Sequence, residues 1–77
     1  MTTINDTLDY LIKAVVTDNS SIVISNQESD GVILFEVTAA PEIIGQIIGK
    51  EGKVIKSIRT ILNLTYPSVR YSLEVKG

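Results

Sequence analysis

From Ile4 to Val16 the apolar residues Leu8, Leu11, Ile12, Val15 and Val16 recur at helical spacing, which predicts a first helix over residues 4–17. Thr3 and Asp6 form a capping-box pair at its start, with Asn5 an alternative cap, and Asp6 and Asp9 suit the positive end of the helix dipole. The period then changes. Residues 22–26, Ile-Val-Ile-Ser-Asn, are short and β-branched and predict a strand. Gln27 to Gly31 reads as a polar turn, and Asp30-Gly31 within it is a hairpin signal. Residues 32–39 predict a second strand. Its opening Val32-Ile33-Leu34-Phe35 is almost continuously apolar and suits a central position. Ile33, Phe35 and Val37 are expected to face helices, leaving Val32 and Leu34 as an apolar patch on the other face.

Pro41 opens a helix over 41–48, carrying Ile43, Ile44, Ile47 and Ile48, that stops at Gly49. A third helix begins at Gly52 or Lys53 and runs to Asn63, with Val54, Ile58, Ile61 and Leu62 as its core stripe. Tyr66-Pro67 closes the following loop. Residues 69–75 alternate strictly, Val69, Tyr71, Leu73 and Val75 inward and Arg70, Ser72 and Glu74 outward, and make the last strand. The three tyrosines, Tyr10, Tyr66 and Tyr71, read as structural. The expected order is α-β-β-α-α-β, an α+β domain over residues 1–77. The hairpin makes the first two strands antiparallel and the two-helix crossover lets the last two run parallel, so the sheet is three-stranded and mixed, with helices packed on one face.

Composition narrows the chemistry. The chain has 77 residues, is 44% apolar and contains neither Cys nor His. Thiol nucleophiles, Ser-His-Asp triads, disulfides and Cys or His metal sites are excluded. The acidic residues are scattered without a defensible catalytic pairing, so no enzyme, cofactor, metal or small-molecule substrate is expected. The segment Met1–Asp6 lacks a basic and apolar leader pattern, and no apolar run reaches the length of a membrane span. A cytoplasmic protein with no membrane partner is the expectation.

Charge is unevenly spread. The net charge is −2, yet Lys50, Lys53, Lys56 and Arg59 fall close together and are opposed there only by Glu51. One small basic face on an acidic body results. It adjoins Gly49-Lys50-Glu51-Gly52, a tight turn between two helices, where the absence of Cβ atoms at the glycines lets another molecule approach the backbone. Helix N-termini attract anions, phosphate above all. The turn is open to a second reading as a plain helix connector with a glycine cap. A connector, however, needs one glycine rather than two around charged residues. Likewise Ile48 and Ile55 read either as core or as exposed apolar surface beside the turn.

The stretch Ile47-Ile48-Gly49-Lys50-Glu51-Gly52-Lys53-Val54-Ile55-Lys56-Ser57-Ile58 resembles the core motif of KH domains: an apolar pair, G-x-x-G, then an apolar and basic helix. The element order resembles the type II KH fold. The length, with Ala40-Pro41-Glu42-Ile43-Ile44-Gly45-Gln46 ahead of the motif and Ile58-Arg59-Thr60 after it, is similar to the small single-domain bacterial KH proteins of the KhpA (YlqC) family. The resemblance implies RNA binding without catalysis, with about four single-stranded nucleotides clamped. It implies a phosphate clamp at Gly49, Lys50, Glu51 and Gly52, and an apolar floor at Ile48 and Ile55 with Ile44 a further candidate. It implies a basic rim at Lys53, Lys56 and Arg59, and an opposite wall on the central strand around Val37 and Thr38. A role as RNA chaperone or post-transcriptional regulator follows, as does a homodimer or a heterodimer with a larger RNA-binding protein. The alternative is an interaction module whose main product is that protein complex. Glu51 in the clamp and the acidic body predict weak, salt-sensitive and largely sequence-independent binding.

Overall fold

The computed structural model describes residues 3–76. The leader reading of Met1–Asp6 and the outer limits of the 1–77 domain fall partly outside the described residues. Along the chain run α1 (Ile4–Ala14), β1 (Val23–Ser29), β2 (Val32–Thr38), α2 (Pro41–Ile48), a 3-10 turn (Lys50–Gly52), α3 (Lys53–Thr65) and β3 (Tyr71–Lys76). The expected order holds. The strands lie β1-β2-β3, the first pair antiparallel and the second parallel. This is the three-stranded mixed sheet expected of the α+β order.

The Thr3 hydroxyl accepts from Asp6 N–H at 3.3 Å and the Asp6 carboxylate accepts from Thr3 N–H at 3.3 Å, so the capping box forms as read. α1 stops at Ala14 rather than Thr17. Val15, Val16 and Thr17 are β-branched and lose rotamer freedom in a helix, and Thr17 N–H instead donates to Gln46 Oε1 of α2 at 2.9 Å. Val15 is therefore exposed past the helix end. β1 reaches Ser29, further than its apolar start implies. Every residue from Ser25 to Ser29 pairs with β2, ending at Ser29 opposite Val32. The turn between them is Asp30-Gly31 alone, both at positive φ (53° and 78°), as a two-residue hairpin of this sheet twist requires. β3 begins at Tyr71, so Val69 and Arg70 precede the strand.

Cross-strand partners share a sheet face. Phe35, Val37 and Leu73 point toward the helices and are buried, with Ile24, Ile33, Tyr71 and Val75 partly so. They meet Leu8 and Ile12 of α1, Ile43, Ile44 and Ile47 of α2, and Ile58 and Leu62 of α3. Full burial of such side chains is worth roughly 1.5–3 kcal/mol each. Ile61, expected in this core, is 41% exposed. The outer face carries the expected apolar patch only in part. Leu34 is 42% exposed, but Val32 is half-buried and polar residues surround both. On that face Glu36 stands opposite Glu74. Lys76 Nζ bridges the two at 3.2 and 3.1 Å. Hydrogen bonds to Glu74 first, and then to Glu36, push the lysine's pKa up.

Two tyrosines are structural as expected. Tyr66 Oη donates to Thr3 O at 3.0 Å and pairs with the Thr7 hydroxyl, tying the end of α3 to the start of α1. Tyr71 Oη donates to Asn63 Oδ1 at 2.8 Å. Tyr10 is exposed and carries no such bond among the described residues.

Candidate nucleic-acid interface

The two glycines of the Gly49–Gly52 turn have different surroundings. Gly49 ends α2 at φ 76°, ψ 175°, a backbone region open essentially to glycine alone. A Cβ placed there would also run into Val54: its Cγ2, its Cβ at 2.8 Å and its backbone N at 2.9 Å. Gly52 is left-handed at φ 75°, ψ 15°, and a Cβ there would meet nothing within 4 Å. Gly49 is thus a packing glycine, whereas Gly52 bounds open space. Between them Glu51 is also left-handed, at φ 58°, strained for a residue with a Cβ. Gly52 stands at the N-cap of α3, and no side chain caps that helix. The N–H groups of Gly52 and Lys53 turn back onto Gly49 O and Lys50 O, and no side chain caps the rest of the first turn.

Ile48, the last residue of α2, is 37% exposed and Ile55 is half-buried, so both present apolar surface next to the turn. Ile44 is 7% exposed and belongs to the core instead. Lys50, Lys53 and Lys56 are exposed. Charge pairing separates the basic residues into two sets. Lys13 bonds Asp9 at 3.1 Å, and Lys76 bonds Glu36 and Glu74. Lys50, Lys53, Lys56, Arg59 and Arg70 have no carboxylate partner among the described residues. All five lie on the turn, on α3 or just before β3.

Lys53, Lys56 and Arg59 do not form one straight rim. Each step of three residues falls about 60° short of a full helical turn, so the three drift around α3. Lys53 lines an apolar hollow shared with Leu11 and Val15 beside α1. Arg59 has come round to β3, where its Nη2 donates to Leu73 O at 3.2 Å. In register with it, Ile55, Arg59 and Asn63 form a stripe at four-residue spacing.

The opposite wall also differs from the expectation. Val37 is fully buried, and β2 is paired on both sides, so the central strand has no edge to offer near α3. The open edge there belongs to β3. Ile33 N–H takes Arg70 O at 2.9 Å, which turns the polar backbone groups of alternate residues toward β2 and leaves those of Leu73 facing out to Arg59. Pattern reading took Arg70 as a strand residue and gave Asn63 no role, although its four-residue spacing from Arg59 was a usable signal.

Among the described residues no helix is long and apolar enough to cross a membrane, and no group of three or more His, Cys, Asp or Glu is placed to hold a metal. No solved structure matches the chain. Curated relatives do. It is 40% identical to the RNA-binding protein KhpA of Chlamydia caviae over 72 residues, covering 91% of this chain and 92% of that protein. The protein of the same name from Treponema pallidum is 26% identical over 86% of this chain and 85% of its own length. That from Thermotoga maritima is 29% identical over 73% and 75%. The family model described as "KhpA/KhpB, KH domain" matches residues 5–76. With that match spanning nearly all of its length, the chain belongs to the KhpA/KhpB family of bacterial KH domains.

Proposed function

We propose that the chain is an RNA-binding protein of the bacterial cytoplasm, not an enzyme, gripping a short single strand at Gly49–Gly52 and acting as an RNA chaperone or post-transcriptional regulator. The observation that carries this reading is the set of cations Lys50, Lys53 and Lys56, unpaired among the described residues, around a backbone turn whose Gly52 side is open. Phosphates lie against the turn and the uncapped start of α3. Bases rest on Ile48 and Ile55. The relatives' shared description as RNA-binding proteins supports it. Glu51 puts a negative charge where phosphate comes, which lowers affinity without blocking the backbone donors.

Filter binding of a single-stranded oligonucleotide at two salt concentrations tests the phosphate account. Three lysine–phosphate contacts give a slope near −2 in a plot of log affinity against log salt. A fourfold rise in salt then weakens binding about 20-fold. Affinity that does not move with salt removes the account.

A second reading is compatible with the first. Leu11, Val15, Val54, Ile58 and Ile61 line an apolar hollow between α1 and α3, and Leu64, one turn beyond Ile61, is 78% exposed. This face suits a homodimer, or a heterodimer with a larger RNA-binding protein, and two weak RNA sites joined in this way gain avidity. Sedimentation at micromolar concentration is expected to give twice the 8.4 kDa chain mass, and Ile61→Lys to return it to the monomer. A wild-type monomer at every concentration, together with no partner in a pull-down, sinks this reading.

A further inference from the structure

β1 ends the sheet on the side away from β3, and among the described residues no strand pairs with its outer edge. Ile33 N–H donates to Arg70 O, so the peptide groups of Ile33 face β3 and those of its neighbours Val32 and Leu34 face β1. Ser29 and Gln27 stand opposite Val32 and Leu34, and Ser25 stands opposite Glu36, so these three turn their own peptide groups toward β2. The N–H and C=O groups of Ile24, Asn26 and Glu28 therefore point out of the sheet. The pairing with β2 is unbroken over all seven residues of β1, so no bulge twists the edge aside, and the strand holds neither Pro nor Lys. Those are the devices that commonly blunt an edge. Glu28 is the strand's one charge, and it is exposed with no ion pair among the described residues.

The same three residues lie on the helix side of the sheet. Ile24 and Asn26 stand opposite the buried Val37 and Phe35, and Glu28 follows at the same period. Between this strand and α1 is a hollow of about 220 Å³ lined by Asn5, Asp6, Asp9, Ile24, Asn26 and Phe35. Its surroundings are negative. Asp6 and Asp9 line it, Glu28 shares its sheet face, and Lys13, which bonds Asp9 at 3.1 Å, offsets one of these three charges. A strand laid along the edge bonds to Ile24, Asn26 and Glu28, and at those positions it directs its side chains onto the face that carries the carboxylates. We propose that the β1 edge is a docking site for an extended segment of another protein that carries Lys or Arg at alternate positions. Main-chain bonds supply the hold, and the acidic hollow selects the charge. A second copy of this chain is the poorer occupant, because it brings its own Glu28 and its own acidic face to the edge, and like charges across strands repel. The site shares no residue with the glycine turn or with the apolar hollow between α1 and α3.

Solution NMR of the full chain with a nine-residue peptide alternating lysine and threonine tests it, beside the same peptide with glutamate in place of lysine. Saturating lysine peptide is expected to slow amide exchange with water at Ile24, Asn26 and Glu28 about fivefold or more, while Ser25 and Gln27, already bonded to β2, change less than about twofold. The glutamate peptide should leave all five at their free rates. Glu28→Lys should keep the wild-type melting temperature and weaken the lysine peptide about tenfold. Equal binding of both peptides, or binding that slows none of the three outward amides, overturns the edge site, because the peptide then answers only to the general field of an acidic body. Unchanged affinity in a folded Glu28→Lys variant overturns it as well. Slowing of the same three amides on raising protein concentration without peptide makes a second copy the occupant and overturns the proposed partner. A folded wild-type protein that binds no lysine peptide at millimolar concentration removes the site altogether. None of these outcomes touches the RNA-binding reading, which rests on other residues.

Discussion

Replacing Lys50 and Glu51 together with aspartate is expected to abolish RNA binding and leave the fold intact. The two side chains are exposed and make no hydrogen bond or ion pair among the described residues, so no packing depends on them. Glu51 sits at φ 58°, and aspartate enters that left-handed region more readily than most residues. The backbone bond from Lys53 N–H to Lys50 O that shapes the turn does not involve either side chain. What changes is charge, from one residue of each sign to two negatives. One unit charge about 4 Å from a phosphate in water is worth roughly 1 kcal/mol. Two units then come to about 2 kcal/mol, or a factor of about 30. Sequence-independent binding starts in the range of roughly 10⁻⁴–10⁻⁶ M, so a loss of that size takes it past detection in a filter assay. Unchanged binding by a variant with wild-type melting behaviour would show that the strand does not lie across this turn.

How much of this was visible in the sequence depends on which signal each element carries. α2 was read at its observed limits because Pro41 and Gly49 punctuate it and Ile43, Ile44 and Ile47 mark its buried face. The hairpin turn was equally plain in Asp30-Gly31. β1 was cut short at Asn26 because Gln27, Glu28 and Ser29 are polar and exposed. An edge strand held by backbone pairing to β2 needs no apolar side chain at those positions, so periodicity has nothing to register. α1 was overextended for the opposite reason. Val15 and Val16 continue the apolar spacing, but the chain leaves the helix, Thr17 docks on Gln46, and Val15 is left exposed.

For the interface the dividing line is between local and non-local facts. The turn, its flanking isoleucines and the nearby lysines are contiguous, so they were legible together. The strand beside them was not. The long apolar run of β2 pointed to the centre of the sheet, and the centre was taken as the wall. Being central is what disqualifies it, since both of its edges are consumed by β1 and β3. The same non-locality hid the split among the cations. Spacing by three looks like a stripe on paper, but the residual rotation carries Lys53 toward α1 and Arg59 toward β3. Only the partner elements reveal that the two face different surroundings.

The glycines at the turn should separate cleanly under substitution. Gly49→Ala is expected to lose about 2–6 kcal/mol of stability: roughly 1–3 for a backbone region that side chains avoid and a similar amount for forcing Cβ into Val54. A chain of 77 residues holds only about 4–12 kcal/mol in total, so this variant should lose a large share of its stability and populate the unfolded chain far more than wild type. Adding Val54→Ala should rescue little. It removes Cγ2, but Val54 Cβ at 2.8 Å and backbone N at 2.9 Å from the new methyl remain. Gly52→Ala faces only the left-handed penalty of about 1–2 kcal/mol, because nothing lies within 4 Å of its Cβ position. It should fold, with a lowered urea midpoint, and place its methyl in the open space of the proposed RNA site. Urea unfolding read beside RNA affinity distinguishes the two. Gly49→Ala within about 1 kcal/mol of wild type would contradict the packing assignment. A consequence follows for any mutational test of this turn. Lost binding after substitution at Gly49 reports a lost fold, whereas lost binding at Gly52, in a protein that still melts cooperatively, supports the proposed contact of RNA with the turn's backbone.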